Sequence, residues 1–507
     1  MIPERLKPIL DDVRPLAERF EAAGHAVYLV GGIVRDLVLG RATHGADLDL
    51  TTDARPEETR AVLQGWADAV WDQGAAFGTI GARKGGTVFE ITTHRAEAYR
   101  EDSRKPHVVY SDDVTDDLSR RDFTVNAMAL RVPDLELIDP YGGVDDLAAG
   151  VLRTPLAPEV SFSDDPLRML RAARFIAGYG LRPDPAVVEA VRAMRGRMEI
   201  VSAERIRDEL SKLLLVEDPS PGLWFLVDTR LSDEFLPELR ALRLEQDPIH
   251  RHKDVLAHTI AVVAKTSPRL KLRLAALLHD IGKPKTRSIG PKGVTFHHHE
   301  VVGARMARDR LRALRYPNDV VDDVQRLVFL HLRFHGYRDD VWTDSAVRRY
   351  ARDAGHLLDD LNELVRCDCT TRNERKARML AKRMDALEAR IAELREREAL
   401  EAIRPDIDGH RVMELLGVGP GPHVGEALSM LLEARLDEGP LGREEAERRV
   451  LAWWAERNRQ RDAEEGGGAP DGEGGEAGRA PAGRSSGRPP ADRAAGASDT
   501  AGGAGRG

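Results

Sequence analysis

The chain has 507 residues, 42% of them apolar and 32% charged, with a formal net charge of −9 at pH 7. This balance excludes fibrous and low-complexity classes and predicts a soluble protein of two to four domains at about 100–200 residues each. No apolar run approaches the ~20 residues that cross a bilayer, and "MIPERLKPILDDV" lacks the basic-then-apolar order of a signal peptide. A cytoplasmic protein with no membrane partner is therefore expected. The acidic balance argues against a strong nonspecific nucleic-acid binder, although a local basic surface is compatible with it. The only cysteines, Cys367 and Cys369, flank Asp368 and cannot build a disulfide framework, in keeping with a reducing compartment.

From Leu6 to about Val160, helical periods alternate with short β-rich runs, "AVYLV", "ADLDLTT", "GTIGARKGGTVFEITTH" and "NAMALRV". After "FSDDPLRMLRAARF" the β signals stop and helix follows helix, ending with the long charged stretch "NERKARMLAKRMDALEARIAELREREALEA". The expected fold class is α+β, an N-terminal mixed-sheet head followed by an extended all-α body. The expected segments are a head over 1–160, a helical neck over 161–235, a metal-binding helical domain over 236–400 and a helical tail over 401–461. Residues 462–507 have, proline apart, no apolar side chain larger than alanine, which predicts a disordered tail. "GVGPGPHVGEAL", from Gly417, reads as a link between two helices.

In "YLVGGIVRDLVLGRATHGADLDLTT", Gly31-Gly32 lets the backbone approach a phosphate, and "IVRDLVLG" starts a helix whose N-terminus favours anions. Asp47 and Asp49, two apart on a strand, point to one side with Leu48 on the other. Two carboxylates held together repel unless a cation sits between them, and an all-oxygen site suits Mg²⁺. Glu90, in "TVFEITTHR", is the candidate third carboxylate. Each feature alone is commonly a solvated strand or a loop; their spacing together points to a triphosphate on one side and its metals on the other.

"RRDFTVNAMAL", from Arg120, places Arg121, Asp122 and Asn126 where arginine would meet phosphate and the Asp or Asn a ribose hydroxyl. "SDDPLRMLRAARF", from Ser163, reads as a helix start with acids and proline in its first turn. Asp165 and Arg168 then share a face, as do Arg168 and Arg171. An Asp/Arg pair can select the amino group and adjacent acceptor nitrogen common to cytosine and adenine. An intrahelical ion pair worth ~0.2–0.5 kcal/mol is the plainer reading of the same spacing.

Five blocks, "GGIVRDLVLGR…DLDL", "RRDFTVNAMA", "DPYGGVDDL", "DDPLRMLRAARF" and "VSAERIRDELSKLL", stand in the order of the class II CCA-adding tRNA nucleotidyltransferases. That group belongs to the polymerase-β-like superfamily and also contains bacterial poly(A) polymerases. The resemblance spans roughly residues 25–215 and continues more loosely beyond. It implies template-independent addition of CCA to the tRNA 3′ end from CTP and ATP, with Mg²⁺ and release of pyrophosphate, and no role for DNA. Asp47 and Asp49 resemble the metal-binding pair, with Glu90 beside them. Gly31, Gly32 and Arg35 resemble the triphosphate side. Arg121 and Asp122 fall at the ribose, and Asp165 and Arg168 at the base; Asp36, Asn126 and Arg171 are further nucleotide-binding candidates. Asp164 stands where the family often has Glu. The stretch Ala98–Asp117 is long enough to resemble the flexible loop that is shortened in enzymes adding only CC. A poly(A) polymerase shares every head motif and is the alternative.

In the body, His279-Asp280 at the end of an apolar helix buries a charge that calls for a metal or a partner. With His258 upstream and Asp368 downstream, the order resembles the HD domain, which implies that these four ligate a divalent ion. His299 and His331 are candidates for a second ion or a substrate phosphate. The mixed imidazole and carboxylate set suits a divalent transition metal. The resemblance allows phosphohydrolase activity here, either as an addition to nucleotide transfer or as the main activity.

Overall fold

The structure is a computed structural model that describes residues 7–41, 47–72, 78–98, 107–244, 254–290, 293–336, 343–369, 374–398 and 404–466. The head is built on a seven-stranded sheet of β1 (Val27–Val30), β2 (Leu48–Thr52), β3 (Ala69–Trp71), β4 (Thr79–Lys84), β5 (Thr87–Thr93), β8 (Ala129–Val132) and β9 (Leu137–Ile138). Their order across the sheet is β3-β4-β5-β2-β1-β8-β9. Only β2 and β5 run parallel, so the sheet is mixed. Alternation sets its two faces. Leu48, Leu50, Phe89 and Ile91 are buried under α1 (Lys7–Ala22) and α3 (Pro56–Leu63), whose Phe20 and Leu63 join the same core. Asp49 and Glu90 face the other way and are exposed.

The short helix α2 (Gly32–Val38) follows β1 directly. At the far end of β5, the stretch that the sequence presents as a loop is partly ordered. Strands β6 (Arg95–Ala98) and β7 (His107–Tyr110) pair as an antiparallel hairpin, and α4 (Val114–Ser119) follows. Residues 99–106 of that stretch lie outside the described residues.

Helix α5 (Gly143–Ala149) closes the head. At the start of the neck the structure departs from the expected helix start. The acids of "SDDPLR" do not occupy the first turn of a helix. Instead α6 (Pro158–Asp164) ends there and α7 (Leu167–Tyr179) begins beyond Pro166. Proline disfavours helical backbone in the residue before it, and Asp165 is extended at φ −142°, ψ 102°. Asp165 therefore stands at a corner between two helices and not on the face of one.

The neck continues through α8 (Pro185–Met194), α9 (Ala203–Leu214) and α10 (Ser220–Asp228), and α11 (Pro237–Ala241) follows it. Helix α9 shows the amphipathic logic: Ile206, Leu210, Leu213 and Leu214 are buried along one stripe. Eight helices follow, α12 (Val255–Lys265), α13 (Leu270–Leu278), α14 (Lys283–Thr286), α15 (His299–Ala313), α16 (Asn318–Leu330), α17 (Asp344–Ala354), α18 (Leu358–Asp368) and α19 (Glu374–Glu398). One continuous apolar core runs from Phe123 and Val125 of the head through the neck to Leu394, so the neck and the helices beyond it share an interior.

Residues 407–431 and 442–466 belong to a separate compact unit. It holds α20 (Gly409–Leu416), the first part of α21 (Pro422–Glu438) and α22 (Arg443–Gly466). The glycine-rich stretch is the connection between α20 and α21, entered through Gly417 at φ +66°. Helix α22 runs to Gly466, so the start of the expected disordered tail is helical, and residues 467–507 lie outside the described residues. Among the described residues no helix is long and apolar enough to cross a membrane.

The neck and α13 are joined by Arg273, which is 1% exposed. Its guanidinium donates to the carbonyls of Thr266 and Glu217 at 2.9–3.1 Å and to those of Leu214 and Val216. It thus caps the C-terminal end of α9, where carbonyls lack helical partners. Arg273→Met would leave these acceptors buried and unmet. We expect a loss of about 3 kcal/mol or more, seen as a lower denaturant midpoint.

Candidate active site and metal centre

Strand β1 delivers the chain to Gly31 at φ +73°, ψ −137°, a conformation open only to glycine. A Cβ there would lie 3.1 Å from Arg121 Nη1 and 3.7 Å from Asp49 Oδ2. The glycine therefore brings bare backbone between a cation and a carboxylate. Helix α2 is only seven residues long, so the positive charge of the site comes from arginine side chains more than from a helix terminus.

Asp47 immediately precedes β2, and Asp49 pairs in register with Glu90 across β2 and β5. All three are exposed on the face opposite the core. Partial burial raises the Asp49 carboxyl, Arg121 opposes the rise, and the like charges of Glu90 and Asp47 add to it. An all-oxygen donor set of three carboxylates, in which Asp49 feels the like charge of the other two, fits a hard divalent cation.

Beside these acids lies a polar cleft of about 260 Å³. Five arginines, Arg120, Arg121, Arg168, Arg171 and Arg205, face Asp122 and Asp165 there. Asp122 accepts from Asn126 Nδ2, Arg171 Nε and its neighbour's amide Phe123 N, each at 2.9 Å. Burial alone would push its carboxyl up; Arg171 and Asn126 overcome that and hold it at about 2. Asp165 accepts from Leu167 N at 3.1 Å and from Arg205 Nη2 at 2.7 Å. Arg168, largely buried, donates to Ser161 and to the Arg120 carbonyl.

Arg35 and Asp36 do not line this cleft. Arg35 is 6% exposed, pairs bidentately with Asp36 at 3.0 Å and donates to Asn126 Oδ1 at 2.7 Å. Its guanidinium sits 4.1 Å from the Tyr179 ring centroid. Asn126 is likewise buried, bridging Arg35 and Asp122. These residues tie α2 to α7. Arg205, Glu209 and Asp117 were not among the residues singled out by sequence. The signal for the first two was the i, i+4 pair of charges on α9 next to an apolar stripe, and Glu209 is 3% exposed.

In the body, the chain ends of α13, α15, α16 and α18 converge on α12. His279, His299 and His331 each use Nδ1 to donate to the carbonyl three residues earlier, at 2.8, 2.8 and 2.6 Å. That anchoring turns every Nε2 inward, toward Asp280. Asp280 Oδ2 lies 3.3 Å from His279 Nε2 and 3.6 Å from His258 Nε2, and its Oδ1 lies 3.4 Å from His299 Nε2. Asp368 Oδ1 is 2.9 Å from His258 Nε2.

Among the described residues, two sets of ligand atoms gather within 4.8 Å, His258/His279/Asp280 and Asp280/His299/His331. Asp280 belongs to both. Among the described residues, Nε2 of His299 and of His331 is buried with no hydrogen-bond partner, which fits a metal ligand. Burial and the neighbouring His279 push His331 down to about 3, leaving it neutral and able to ligate. Lys283 Nζ stands 2.6 Å from Asp280 Oδ2 and neutralises part of the acid.

A carboxylate-bearing sheet beside an arginine-lined cleft, carried on a helical body with a His/Asp centre, defines a polymerase-type nucleotidyltransferase head joined to an HD domain. Comparison agrees segment by segment. Residues 27–153 match the Poly A polymerase head domain, 180–242 the probable RNA and SrmB-binding site of polymerase A, and 255–395 the HD domain. The chain is 35% identical over 445 residues to the A-adding tRNA nucleotidyltransferase of Deinococcus radiodurans, covering 84% of this chain and 95% of that protein. It is 37% identical over 229 residues to the CCA-adding enzyme of Limosilactobacillus reuteri, over 45% of this chain and 55% of that one. The fold matches the Bacillus stearothermophilus CCA-adding enzyme in complex with CTP, with TM-score 0.64 and 24% identity over 91% of this chain and 100% of that one. The Thermotoga maritima CCA-adding enzyme complexed with tRNA matches with TM-score 0.55 and 20% identity, over 89% and 97% of the two chains. The protein belongs to the tRNA nucleotidyltransferase/poly(A) polymerase family.

The Asp122 carboxyl lies below its ordinary value of 3.8, so its stabilisation is present above pH ~4 and lost as pH falls toward 2. The shift corresponds to about 2 kcal/mol. Unfolding free energies of the parent and of Asp122→Asn, from denaturant titrations, should differ by about that much at pH 7. The gap should narrow steadily below pH 4.

Proposed function

We propose that this protein builds or repairs the 3′-terminal CCA of tRNA from CTP and ATP. The observation that carries the reading is Asp49 beside Glu90, facing Gly31 and Arg121, next to a cleft that holds Asp165 and Arg168. The terminal 3′-oxygen of the tRNA attacks the α-phosphorus of the nucleotide, a new O3′–P bond forms, and the bond to the β-phosphate oxygen breaks to release pyrophosphate. Mg²⁺ held by Asp47, Asp49 and Glu90 would supply charge neutralisation and a more acidic hydroxyl. Gly31 admits the triphosphate close to the backbone, and Arg121 meets its charge. Asp165 accepts from the exocyclic amino group of cytosine or adenine, and Arg168 stands beside it to donate. No covalent enzyme intermediate is needed, so positioning and charge complementarity carry the rate.

We divide the chain into a head over 1–160, a neck over 161–235, an HD domain over 236–400 and a tail over 401–461, with the cytosol as its compartment. The HD centre is proposed to hold divalent transition-metal ions, with Asp280 shared between His258/His279/Asp368 on one side and His299/His331 on the other. Phosphohydrolysis there is a subsidiary activity. A second reading, addition of the terminal A alone, draws on the A-adding relative that this chain matches over 95% of its length.

Transcripts ending at the discriminator base, at C and at CC, incubated with Mg²⁺ and each nucleotide, separate the readings. We expect two C then one A, ending there, and a loss of at least a hundredfold in Asp49→Ala. Extension of the CC transcript alone would support the A-adding reading. Runs of A on unrelated RNA would identify a poly(A) polymerase. For the body, Asp280→Asn should lose bound Mn²⁺ or Co²⁺ by elemental analysis while tRNA extension persists.

A further inference from the structure

The nucleotide cleft depends on a residue outside it. We propose that Asp117 is the positioning residue of the transfer site, holding Arg121 away from Asp49 so that the arginine meets the nucleotide's phosphates and the carboxylate stays open to the metal. This rests on the reading of the head as a nucleotide-transfer site.

Asp117 lies in α4 and is fully buried. Its Oδ1 accepts from Arg120 Nε at 3.0 Å and Nη2 at 2.6 Å, and its Oδ2 from Arg121 Nη2 at 3.0 Å. One buried carboxylate thus anchors two guanidinium groups of the cleft, and one unit of positive charge is left over for a ligand. The anchoring reaches a third arginine, because the Arg120 carbonyl accepts from Arg168 Nη2 at 2.5 Å.

Asp117 takes only one nitrogen of Arg121. Arg121 Nε is buried with no hydrogen-bond partner, and Nη1 lies 3.1 Å from the point where Gly31 would carry a Cβ. Asp49 Oδ2 is 3.7 Å from that same point. Arg121 is therefore placed between two acids. A long, flexible guanidinium released by Asp117 would find Asp49 as its next carboxylate, and an ion pair there would occupy the ligand that the metal needs. Buried charge-assisted hydrogen bonds decide the contest in favour of Asp117, since both oxygens of its buried carboxylate are met by the two arginines.

The test uses full-length protein and the variants Asp117→Asn, Arg121→Gln and their combination. Two readouts are taken: steady-state tRNA extension with CTP, and direct titration of CTP with Mg²⁺. In Asp117→Asn we expect KM for CTP and for ATP, and the Mg²⁺ concentration at half-maximal rate, to rise tenfold or more, with KM for tRNA unchanged. The double variant should be no worse than Arg121→Gln alone, and Asp117→Glu should recover part of the loss. Equal additive losses in the double variant, or an unchanged nucleotide and Mg²⁺ requirement in Asp117→Asn, would overturn the proposal. If the parent binds CTP and Asp117→Asn binds it more weakly, yet neither extends tRNA, the positioning role stands and the tRNA reading falls. A parent that binds no nucleotide removes both.

Discussion

Head and neck are held in register by a chain of buried, charge-assisted hydrogen bonds on which the rest of the site depends. It runs from Asp36 through Arg35, Asn126 and Asp122 to Arg171, and Glu209 receives Arg174 and borders Arg171. Every step joins opposite charges or a donor to an acceptor, so no member is left unmet in a low-dielectric interior. The consequence is geometric: α2, which follows the glycines, and α7, which follows Asp165, cannot move independently. The phosphate side and the base side of the cleft are fixed at one separation, as a reaction that runs on positioning requires.

The same economy of support recurs in the HD domain. Three imidazoles are oriented by the carbonyl three residues back, in their own helices for His279 and His331 and in the segment just before α15 for His299, so the ligand set is assembled at helix ends. Asp280 at the close of α13 serves both ligand groups because α12 and α18 approach it from one side and α15 and α16 from the other. The shared apolar core from Phe123 to Leu394 makes the head's last elements part of the same interior as the metal centre. The tail unit lies outside that core and has its own packing.

The glycine at 31 and the acids at 47 and 49 show how local pattern becomes chemistry. The alternation of Leu48, Asp49 and Leu50 settles which side chains reach the cleft face. Gly31 is required by a backbone angle and by the closeness of Arg121 and Asp49 at once, so any side chain there would both strain the turn and fill the site.

Much of this was legible in the sequence because it depends on periods of two or 3.6 residues and on the order of short motifs. The mixed-sheet head, the helical body, the acidic pair, the glycine turn and the His-Asp doublet all follow from local pattern. Tertiary structure decided the rest. Glu90 stands beside Asp49 only because β2 and β5 pair in that register. Arg35 turns inward because Asn126, 91 residues away, and Tyr179 meet it there, and Asp36 pairs with it. Asp165 leaves the helix face because Pro166 breaks it, and Arg205 reaches it from α9. Local sequence dictates which way a side chain faces on its own element; which charge it meets is set by how distant elements pack.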